Sequence, residues 1–516
     1  MNFDSRGDRH LLPFTVEHRA GFLAGRILVR AGGAAVLTRS GQTILWMLTN
    51  LLSRQYGVVH ELIFDIPATV TLDGIALFGS EQKLAQTLST TARLINDLIA
   101  VSEFDGSDRE YDVLMSIGAA QTGKPIRTQF SLCAWGHGWK AFIGGENSAP
   151  LIDQNDPFAD NSLGPILAAC LAAGEVFRIL TDWRGERNGT LEPKAISLWS
   201  GTFGRRWDDV PDGRWTNGVK LPAFYLCGAG AVGQSLVAAL CLCKRLSGHA
   251  VVIDSDVLDG SNHNRYPLAH LKVGQVRKVD LATSTMRTCG FTADALHCTW
   301  EQFVVGSKDQ ITDPLLVADA KHYRFPLVVS CVDTNEARHA IQNCWPRLIL
   351  GGSTLDLRAL LTRSDPVSDR ECLKCGNRLR VRPTVEEEFV RWRSLSPSDL
   401  DSQLCELSED QRAAVVDYLA RGKCGMAGQQ IIDELGRRSQ REFAVGFVSL
   451  GAGVMLAAAL VQLALDDQAV FLDGDAVSLN FLNIKIWSTD YPRQPDCDCL
   501  EARETIFRKL WPASGP

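Results

Sequence analysis

Glycines and a carboxylate with the spacing of a nucleotide site occur shortly after residue 222. The run Gly228-Ala-Gly230-Ala-Val-Gly233 directly follows a predicted strand and opens a predicted helix. Gly228 permits a tight turn, Gly230 lets a phosphate approach the backbone, and Gly233 lets the helix pack closely on the strand. The helix N-terminus supplies N–H groups that have no partner within the helix. The next predicted strand ends at Asp254, where a carboxylate can accept hydrogen bonds from ribose hydroxyls. Together these features predict a nucleotide site.

The residues that follow Asp254 favour a triphosphate over a nicotinamide dinucleotide. Asp256 comes two residues later and is a further candidate for contact with the nucleotide. The polar runs Ser261-Asn262-His263-Asn264-Arg265 and Arg277-Lys278 come next, and Arg binds phosphate oxygens in a two-pronged manner while Lys supplies a point charge. A later predicted strand leads to Asp333 at the carboxyl edge of the sheet, where a carboxylate beside a polyphosphate is a natural Mg²⁺ ligand.

Four of the 15 cysteines form two short clusters, Cys372-Leu-Lys-Cys375 and Cys497-Asp-Cys499. Four thiolates from two such clusters suit a tetrahedral structural Zn²⁺ site. A CxC pair is tighter than the usual CxxC, so free surface cysteines or a redox CxxC stay as alternatives. The start of the sequence has no basic-then-apolar signal peptide, so we expect the reducing cytoplasm, where close cysteine pairs indicate metal or thiol chemistry.

A fifth cysteine, Cys424, is the candidate nucleophile. It lies in the Gly-rich run Arg421-Gly-Lys-Cys424-Gly-Met-Ala-Gly428, where small neighbours expose the sulfur and Lys423 favours the thiolate. A thiolate can attack an acyl-adenylate and form a thioester, which splits one transfer into two easier steps. Cys405 is the alternative nucleophile, and we expect most of the other cysteines to lie in the core because their surroundings are apolar.

The composition is that of a globular protein with room for several domains. The chain has 516 residues, 45% of them hydrophobic and 22% charged, and a net charge of −7. This length permits roughly two to four domains, and the charge gives no basic surplus for a nucleic-acid partner. Residues 447–465 are apolar over a length that could cross a bilayer, but Gly451 and Gly453 interrupt them and a large α/β core needs such helices. We therefore expect a buried helix and no membrane contact.

Strand and helix patterns alternate after residue 222, which predicts a mostly parallel α/β sheet covered on both faces. Residues 385–423 are amphipathic and predict a helical insertion. Glycines and prolines are dense in 181–221, so a domain boundary is expected there. A strand–turn–helix start near 34–52 and the similar Ala/Leu-rich helices at 164–180 and 448–465 suggest a faint internal duplication.

The second half of the chain resembles the adenylation domain of the ThiF/MoeB and ubiquitin-activating superfamily. The resemblance is strong over 222–350 and looser over 351–500, and it rests on four runs: GAGAVG, VVIDSDVLDGSNHNRY, VGQVRKVDLA and VVSCVDTNEAR. It implies an enzyme that uses ATP and Mg²⁺ to adenylate the C-terminal carboxylate of a ubiquitin-like protein.

The resemblance also implies roles for individual residues. Asp254 would hold the ribose, Asp333 would bind Mg²⁺, and three residues would contact the phosphates, namely Asn262, Arg265 and Lys278. Lys278 lies one residue farther from Gly274 than in simple family members, so Arg277 is the alternative. The family carries a zinc between its crossover region and its C-terminal segment, where the two cysteine clusters fall.

The first half resembles a degenerate, non-binding copy of the same domain. It has Thr38-Arg-Ser-Gly41-Gln in place of a glycine loop. The implied fold is two Rossmann-like ThiF-type halves that form a pseudo-dimer, with an inactive half over 1–205, a linker over 206–221 and an active half over 222–516. The helical insertion at about 380–440 would carry Cys424. The segment Arg26-Ile-Leu-Val-Arg30 resembles the family's N-terminal segment, so Arg26 is the candidate arginine that reaches the partner's ATP.

A one-chain inactive–active pair of this size resembles the activating enzymes of bacterial ubiquitin-like conjugation operons, including BilD-type antiphage systems. This resemblance implies a ubiquitin-like protein and a ubiquitin-conjugating-type enzyme as partners, with a homodimer left open. Two alternatives are adenylation of a sulfur-carrier protein, as in MoeB/ThiF enzymes and without need of Cys424, and a nucleotide-binding scaffold without catalysis.

Overall fold

The computed structural model describes residues 8–73, 76–118, 126–150, 159–185, 191–216, 218–365, 371–379, 393–396, 400, 412, 416, 419, 443–465, 475–495, 497 and 499–512. The chain divides into two compact units, one made of Met1–Asn377 with Ala444–Pro516 and the other of Arg378–Phe443. Few residues of the second unit are described. In it, Arg393 Nε donates to the Leu419 carbonyl oxygen at 2.6 Å.

Within the described residues of the larger unit, the first mixed sheet has eight strands. They are β1 (Arg26–Ala31), β2 (Glu61–Asp65), β3 (Ala100–Glu103), β4 (Tyr111–Ile117), β5 (Thr128–His137), β6 (Lys140–Gly145), β7 (Lys194–Ser197) and β8 (Thr202–Gly204). Their order is β3-β2-β1-β4-β5-β6-β7-β8, parallel from β3 to β5 and antiparallel from β5 to β8.

The second sheet is also mixed and has the same topology. Its strands are β10 (Phe224–Cys227), β12 (His249–Ile253), β13 (Thr292–Leu296), β14 (Leu327–Ser330), β15 (Leu348–Leu355), β16 (Arg358–Ser364), β17 (Ala476–Asn480) and β18 (Lys485–Thr489), while β9 (Val219–Lys220) and β11 (Leu246–Ser247) pair separately. The order is β13-β12-β10-β14-β15-β16-β17-β18. In both sheets, the first strand in chain order lies between the second and the fourth. The order of the strands therefore reverses beside the first strand, and α/β proteins commonly bind ligands at such a point.

Helices cover these sheets. The α-helices are α1 (Asp8–Leu11), α2 (Val16–Ala20), α3 (Gly33–Leu37), α4 (Arg39–Ser53), α5 (Leu84–Ile95), α6 (Leu163–Thr181), α7 (Ala231–Leu242), α8 (Lys278–Thr288), α9 (Trp300–Val305), α10 (Pro314–Lys321), α11 (Asn335–Asn343), α12 (Gly446–Ala464), α13 (Cys499–Ala502) and α14 (Arg508–Leu510). Short 3₁₀ turns lie at Glu146–Ser148, Trp183–Gly185, Trp207–Asp209, Gly260–Asn262, Ser307–Gln310 and Cys375–Asn377, and a π turn lies at Arg503–Phe507.

Among the residues that the structure describes, two helices, α6 and α12, are long and apolar enough to cross a membrane by length and composition. Both are mostly buried inside the protein, and α12 packs against α7 and α6. Gly451 and Gly453 do not break α12 as the sequence suggested. A Cβ at Gly453 would lie 2.5 Å from atoms of Ser235 on α7, so this glycine serves the close approach of two core helices.

The strands predicted within 223–227, 250–254 and 326–333 are confirmed by β10, β12 and β14. The predicted strand near residue 34 is wrong. The strand is β1 (Arg26–Ala31), whose apolar RILVRA run is almost entirely buried, and 33–37 form the short helix α3. Two glycines followed by two alanines have little preference for a strand, which explains why the strand ends before them. Most of the predicted insertion at 385–423 lies outside the described residues.

Candidate functional site

The glycine run forms a tight turn between β10 and the N-terminus of α7. Gly228 has φ +92°, and a Cβ there would lie 2.7 Å from the Cys331 carbonyl oxygen, so the turn requires glycine. A Cβ at Gly233 would collide with the Gly228 carbonyl oxygen, which brings the helix close to the turn. Gly230 is the N-cap and provides no side chain to cap the helix. The first N–H groups of α7 therefore have no side-chain cap from Gly230, and such a helix N-terminus can bind an anion.

Asp254, directly after β12, lies against this turn. One carboxylate oxygen accepts a hydrogen bond from the backbone N–H of Ala229 at 2.7 Å, and the other accepts from the backbone N–H of Asp256 at 2.7 Å. Burial raises the pKa of Asp254, although the positive charge of Lys278 opposes the shift. The carboxylate is fixed beside the glycine turn, and its oxygens have further lone pairs for hydroxyl donors.

Two cations share one aromatic ring beside the turn. Lys278 Nζ lies 5.6 Å and the Arg265 guanidinium carbon 5.3 Å from the centre of the Tyr266 ring. The Tyr266 hydroxyl is the group nearest to the position of a Cβ on Gly230, at 3.4 Å. Sequence reasoning missed Tyr266, and its only sequence signal is an aromatic residue next to Arg265. The arrangement places two positive charges near the N-terminus of α7, which favours a polyanion.

Arg265 is a buried cation that no carboxylate neutralises within ion-pair distance in the described part of the chain. Its Nη1 donates to the Ser261 carbonyl oxygen at 2.7 Å and to Asn264 Oδ1 at 2.8 Å. The side chain belongs to a residue that is 8% exposed, and burial lowers the pKa of Arg265. A buried guanidinium with neutral partners retains net charge for a ligand.

The structure separates Lys278 from its alternative, Arg277. Lys278 Nζ lies 2.6 Å from Asp256 Oδ2 and its side chain is 10% exposed, whereas the Arg277 side chain is 52% exposed and pairs with Asp280. Burial alone would lower the pKa of Lys278, but interactions with the Tyr266 phenol, the hydrogen bond to Asp256 and the carboxylate charges of Asp254 and Asp256 outweigh it and raise the pKa above its usual value. Lys278 is therefore the cation that the fold brings to this cluster.

Asn262 and Asp333 lie close to the cluster in different settings. Asn262 ends the 3₁₀ turn Gly260–Asn262, and its Oδ1 accepts a hydrogen bond from the Asp259 N–H at 3.1 Å, so this oxygen has a local structural role. Asp333 is exposed after β14, and its charge raises the pKa of Arg265 against the stronger effect of burial. The carboxyl edge of the sheet thus carries the acid that the sequence predicted as the Mg²⁺ ligand.

Two arginines of the N-terminal region, Arg26 and Arg9, lie in different settings. Arg26 begins β1, at the amino end of the strand, and its backbone N–H donates to Asp112 at 2.8 Å. Arg9, on α1, is close enough to Arg265 to lower its pKa. Arg9 is therefore a further basic residue near Arg265, and sequence reasoning missed it because the two are more than 250 residues apart in the chain.

The equivalent positions of the first sheet hold different residues. An isolated bridge joins Thr71 to Lys83 there, as another joins Val257 to Arg277 in the second sheet, so buried Leu84 takes the place of Lys278. At the carboxyl ends of β1 and β2, Arg30 Nε lies 2.7 Å from Asp65 Oδ2. The first sheet thus has an ion pair and a leucine at positions that correspond to the candidate site of the second sheet.

Three of the four predicted zinc ligands form one group, and the fourth, Cys499, lies beside Cys372. Cys372 Sγ lies 3.2 Å from Cys375 Sγ, 3.8 Å from Cys497 Sγ and 3.4 Å from Cys499 Sγ, and the Cys375 and Cys497 sulfurs are 2.7 Å apart. Three of these thiols, Cys372, Cys375 and Cys497, could hold a metal ion together. Sulfurs bound to one tetrahedral zinc at about 2.3 Å are about 3.8 Å apart, so the Cys375 and Cys497 sulfurs would separate by about 1 Å on binding such an ion.

The fully buried His10, on α1, connects the N-terminal region to the same cluster. His10 Nε2 lies 2.8 Å from the Tyr56 carbonyl oxygen, to which it donates, and His10 Nδ1 accepts from Asn264 Nδ2 at 3.3 Å. Asn264 Oδ1 in turn accepts from Arg265. Burial, with smaller contributions from Arg19 and Arg265, lowers the pKa of His10 to about 4.

This shift predicts a loss of stability in acid. The unfolded chain takes up a proton as the pH falls through about 6.5, while folded His10 stays neutral down to about pH 4. Between pH 7 and pH 5 the free energy of unfolding should therefore fall by about 2 kcal/mol more in the wild type than in His10→Gln. Urea denaturation followed by tryptophan fluorescence measures this difference. The exposed control His322→Gln should retain the wild-type loss, and equal losses in wild type and His10→Gln would contradict the assignment.

Comparison with known proteins adds a family match. Residues 26–187 match the family model described as BilD N-terminal domain. This match supports a BilD-like family for the chain. It begins with β1 and ends just after α6, so it covers most of the first sheet.

A curated relative gives a longer but more distant match. The chain is 27% identical over 345 residues to a protein of Sinorhizobium fredii (strain NBRC 101917 / NGR234) described as "Uncharacterized protein y4jF". The match covers 65% of this chain and 57% of the relative, so the chain spans little more than half of the relative's length. Cys424 and Cys405, the candidate nucleophiles, lie outside the described residues.

Proposed function

We propose that the chain is an ATP-dependent activating enzyme for a ubiquitin-like protein in a bacterial antiphage conjugation system. The observation that carries the proposal is the cluster of Arg265 and Lys278 beside the glycine turn and Asp254. Two buried cations at an uncapped helix N-terminus suit a polyphosphate, and a fixed carboxylate beside the turn suits a ribose. The BilD N-terminal domain match supports the biological setting.

The first step would be adenylation. A carboxylate oxygen of the ubiquitin-like C-terminus attacks the α-phosphorus of ATP, and the bond to the β-phosphate oxygen breaks to release pyrophosphate. Arg265 and Lys278 would stabilise the charge that builds on the phosphates, because fixed cations in a buried site need no reorganisation during the step. Asp254 would orient the ribose and Arg9 would add positive charge. Mg²⁺, when bound, neutralises phosphate charge, and Asp333 is the proposed ligand.

The second step would transfer the acyl group to a thiol. The Cys424 thiolate attacks the acyl carbonyl carbon, the bond to the phosphate oxygen breaks, and AMP leaves with that oxygen. The thioester then passes to a cysteine of a conjugating-type enzyme. Support for Cys424 comes from its Gly-rich sequence, and Cys405 is the alternative.

The first sheet would belong to an inactive half and the second to an active half of a pseudo-dimer, with proposed boundaries at 1–205, 206–221 and 222–516. Three observations support this division. The two sheets have the same strand order, and Leu84 replaces Lys278. The Arg30–Asp65 ion pair lies at the carboxyl ends of β1 and β2, the edge that carries the candidate site in the second sheet.

The decisive experiment is ATP–pyrophosphate exchange with purified protein and candidate β-grasp proteins. We expect exchange that depends on one such partner, together with a band shift on gels that thiols reverse. Protein that ignores ATP with magnesium but binds NAD tightly would refute the proposal. Binding of ATP without exchange for any partner tested would favour the scaffold alternative.

Substitution of the nucleophile separates conjugation from sulfur-carrier chemistry. Cys424→Ala should abolish the thiol-sensitive adduct completely while pyrophosphate exchange continues, because adenylation precedes thioester formation. Cys405→Ala is the matched control and should form the adduct at the wild-type level. An adduct that persists in Cys424→Ala and disappears in Cys405→Ala would transfer the assignment to Cys405, and exchange without any adduct in the wild type would favour a sulfur carrier.

A further inference from the structure

Arg54, which caps the C-terminus of α4, is a buried cation on the helix that packs on the first sheet. It is 1% exposed, and no carboxylate lies within ion-pair distance of it among the residues that the structure describes. Burial lowers the pKa of Arg54 to about 10, so the guanidinium is charged at neutral pH. A charge in such surroundings is costly unless its N–H groups are bound, so its partners show what it stabilises.

Those partners are main-chain carbonyls of a loop that follows β12 in the second sheet. Arg54 Nη1 donates to the His263 carbonyl oxygen at 2.6 Å, and Nη2 donates to those of Pro267 at 3.2 Å and Ala269 at 2.6 Å. Asn50, one turn earlier on α4, accepts from Arg54 Nε at 2.8 Å and donates to the Pro267 carbonyl oxygen at 3.0 Å.

The three carbonyls enclose the part of the loop that carries Arg265 and Tyr266. Without Arg54, buried carbonyl oxygens would lose their donors, and the loop would have to move to find water or other donors. We propose that Arg54, together with Asn50, is a positioning residue for the phosphate site: one guanidinium from the first sheet's helix fixes the loop that presents Arg265. This inference rests on the proposed function, because it assigns the loop to ATP binding.

The same helix offers a matched control at its other end. Arg39 is also buried on α4. Its Nη2 donates to the Leu242 carbonyl oxygen, at the end of α7, at 2.7 Å. A second bond runs to the Asp73 carbonyl oxygen at 3.1 Å. Arg39→Met therefore removes a comparable buried guanidinium without touching the loop at 263–269.

The test compares Arg54→Met with Arg39→Met in the full-length protein by two measurements. Hydrogen exchange of peptides spanning 261–270, without ligand, should speed up at least tenfold in Arg54→Met and stay at the wild-type rate in Arg39→Met. Calorimetry with Mg·ATP should give a dissociation constant at least tenfold higher in Arg54→Met and near the wild-type value in Arg39→Met. In an Arg265→Met background, Arg54→Met should weaken ATP binding far less, because Arg54 is proposed to act on ATP by positioning Arg265.

Each outcome decides a separate point. Wild-type protein that fails to bind Mg·ATP overturns the proposed function and this inference with it. Wild-type binding that Arg54→Met leaves unchanged overturns the inference alone, and so does equal weakening by Arg39→Met. If Arg54→Met does not fold, Asn50→Ala takes its place, since it removes one donor to Pro267, and unchanged exchange and affinity in that variant would overturn the proposal.

Discussion

Lys278→Met is expected to slow partner-dependent ATP–pyrophosphate exchange roughly a hundredfold or more, the usual effect of removing one fixed donor to a transition state. Methionine retains most of the side-chain volume and removes the charged donor group. The loss should appear mainly in kcat, because charge on the phosphates increases as the bond to pyrophosphate breaks. Initial rates of labelled pyrophosphate incorporation, taken over a range of ATP concentrations, measure it.

Arg277→Met is the control for this prediction. Arg277 precedes Lys278 directly, but its guanidinium pairs with Asp280 and its side chain is half exposed. We expect an exchange rate within about twofold of wild type, as for most surface substitutions. A large loss of exchange in Arg277→Met together with normal exchange in Lys278→Met would reverse the assignment. Arg277, the alternative named from the spacing to Gly274, would then be the residue that contacts the phosphates.

The parts of the site that sequence predicted are those encoded by neighbouring residues. The turn at Gly228 and the carboxylate at Asp254 each depend on a short strand–turn pattern, and the parallel register sets them side by side because β10 pairs with β12. Lys278 was also predicted, since it opens a helix after a recognisable run. Such local features can be predicted from sequence because each is determined by a few neighbouring residues.

The parts that sequence did not predict come from distant segments. Arg9, His10 and Arg54 approach the Arg265 loop from more than 200 residues away, and nothing in their local sequences distinguishes them from ordinary surface or helix residues. Their role depends on how helices α1 and α4 meet the loop, which tertiary packing decides. The RILVR run that singled out Arg26 is visible in sequence, and in the structure it forms most of the strand β1.

The first half illustrates the same limit for the fold. The strand at Arg26–Ala31 was missed, although the similar helix start was noticed from Thr38 to Gly41. In the structure, a Cβ at Gly41 would collide with the Ala35 carbonyl oxygen, much as one at Gly233 would collide with that of Gly228. The close helix approach is thus common to both halves, while the residues before it differ enough to hide the strand.

Disruption of the proposed zinc site is expected to have the second large effect. Cys497→Ser should reduce the zinc content of freshly reduced protein from one ion per chain to almost none and lower the thermal midpoint by about 10 °C or more. Structural zinc sites contribute many kcal/mol to folding, although the rest of this large chain would limit the loss to the region around the cluster. Elemental analysis and differential scanning calorimetry measure the two quantities.

The region at risk is the C-terminal segment. Cys372 and Cys375 follow the second sheet's strand β16, whereas Cys497 and Cys499 belong to the chain's end, so one ion would join segments more than 120 residues apart. Beside the cluster, Trp511 Nε1 donates to the Trp345 carbonyl oxygen at 3.1 Å, and Phe507 packs on Trp345. Loss of the ion should therefore speed proteolysis near residues 493–512 before other sites.

Cys298→Ser is the control, because this cysteine lies outside the cluster, and it should keep both the zinc and the midpoint.

The same variants distinguish zinc from redox chemistry. The sulfur separations of 2.7–3.8 Å all exceed a disulfide bond of about 2.05 Å, and three thiols that could hold one ion, with the Cys499 thiol beside Cys372, suit a metal site better than a single CxxC pair. Burial, together with the neighbouring Cys375 thiol, raises the pKa of Cys497 to about 12. Without a bound cation the Cys497 thiol therefore stays protonated and uncharged at neutral pH. Reduced protein that contains no metal yet melts at the wild-type temperature would therefore leave the thiols as simple packing groups and refute the zinc site.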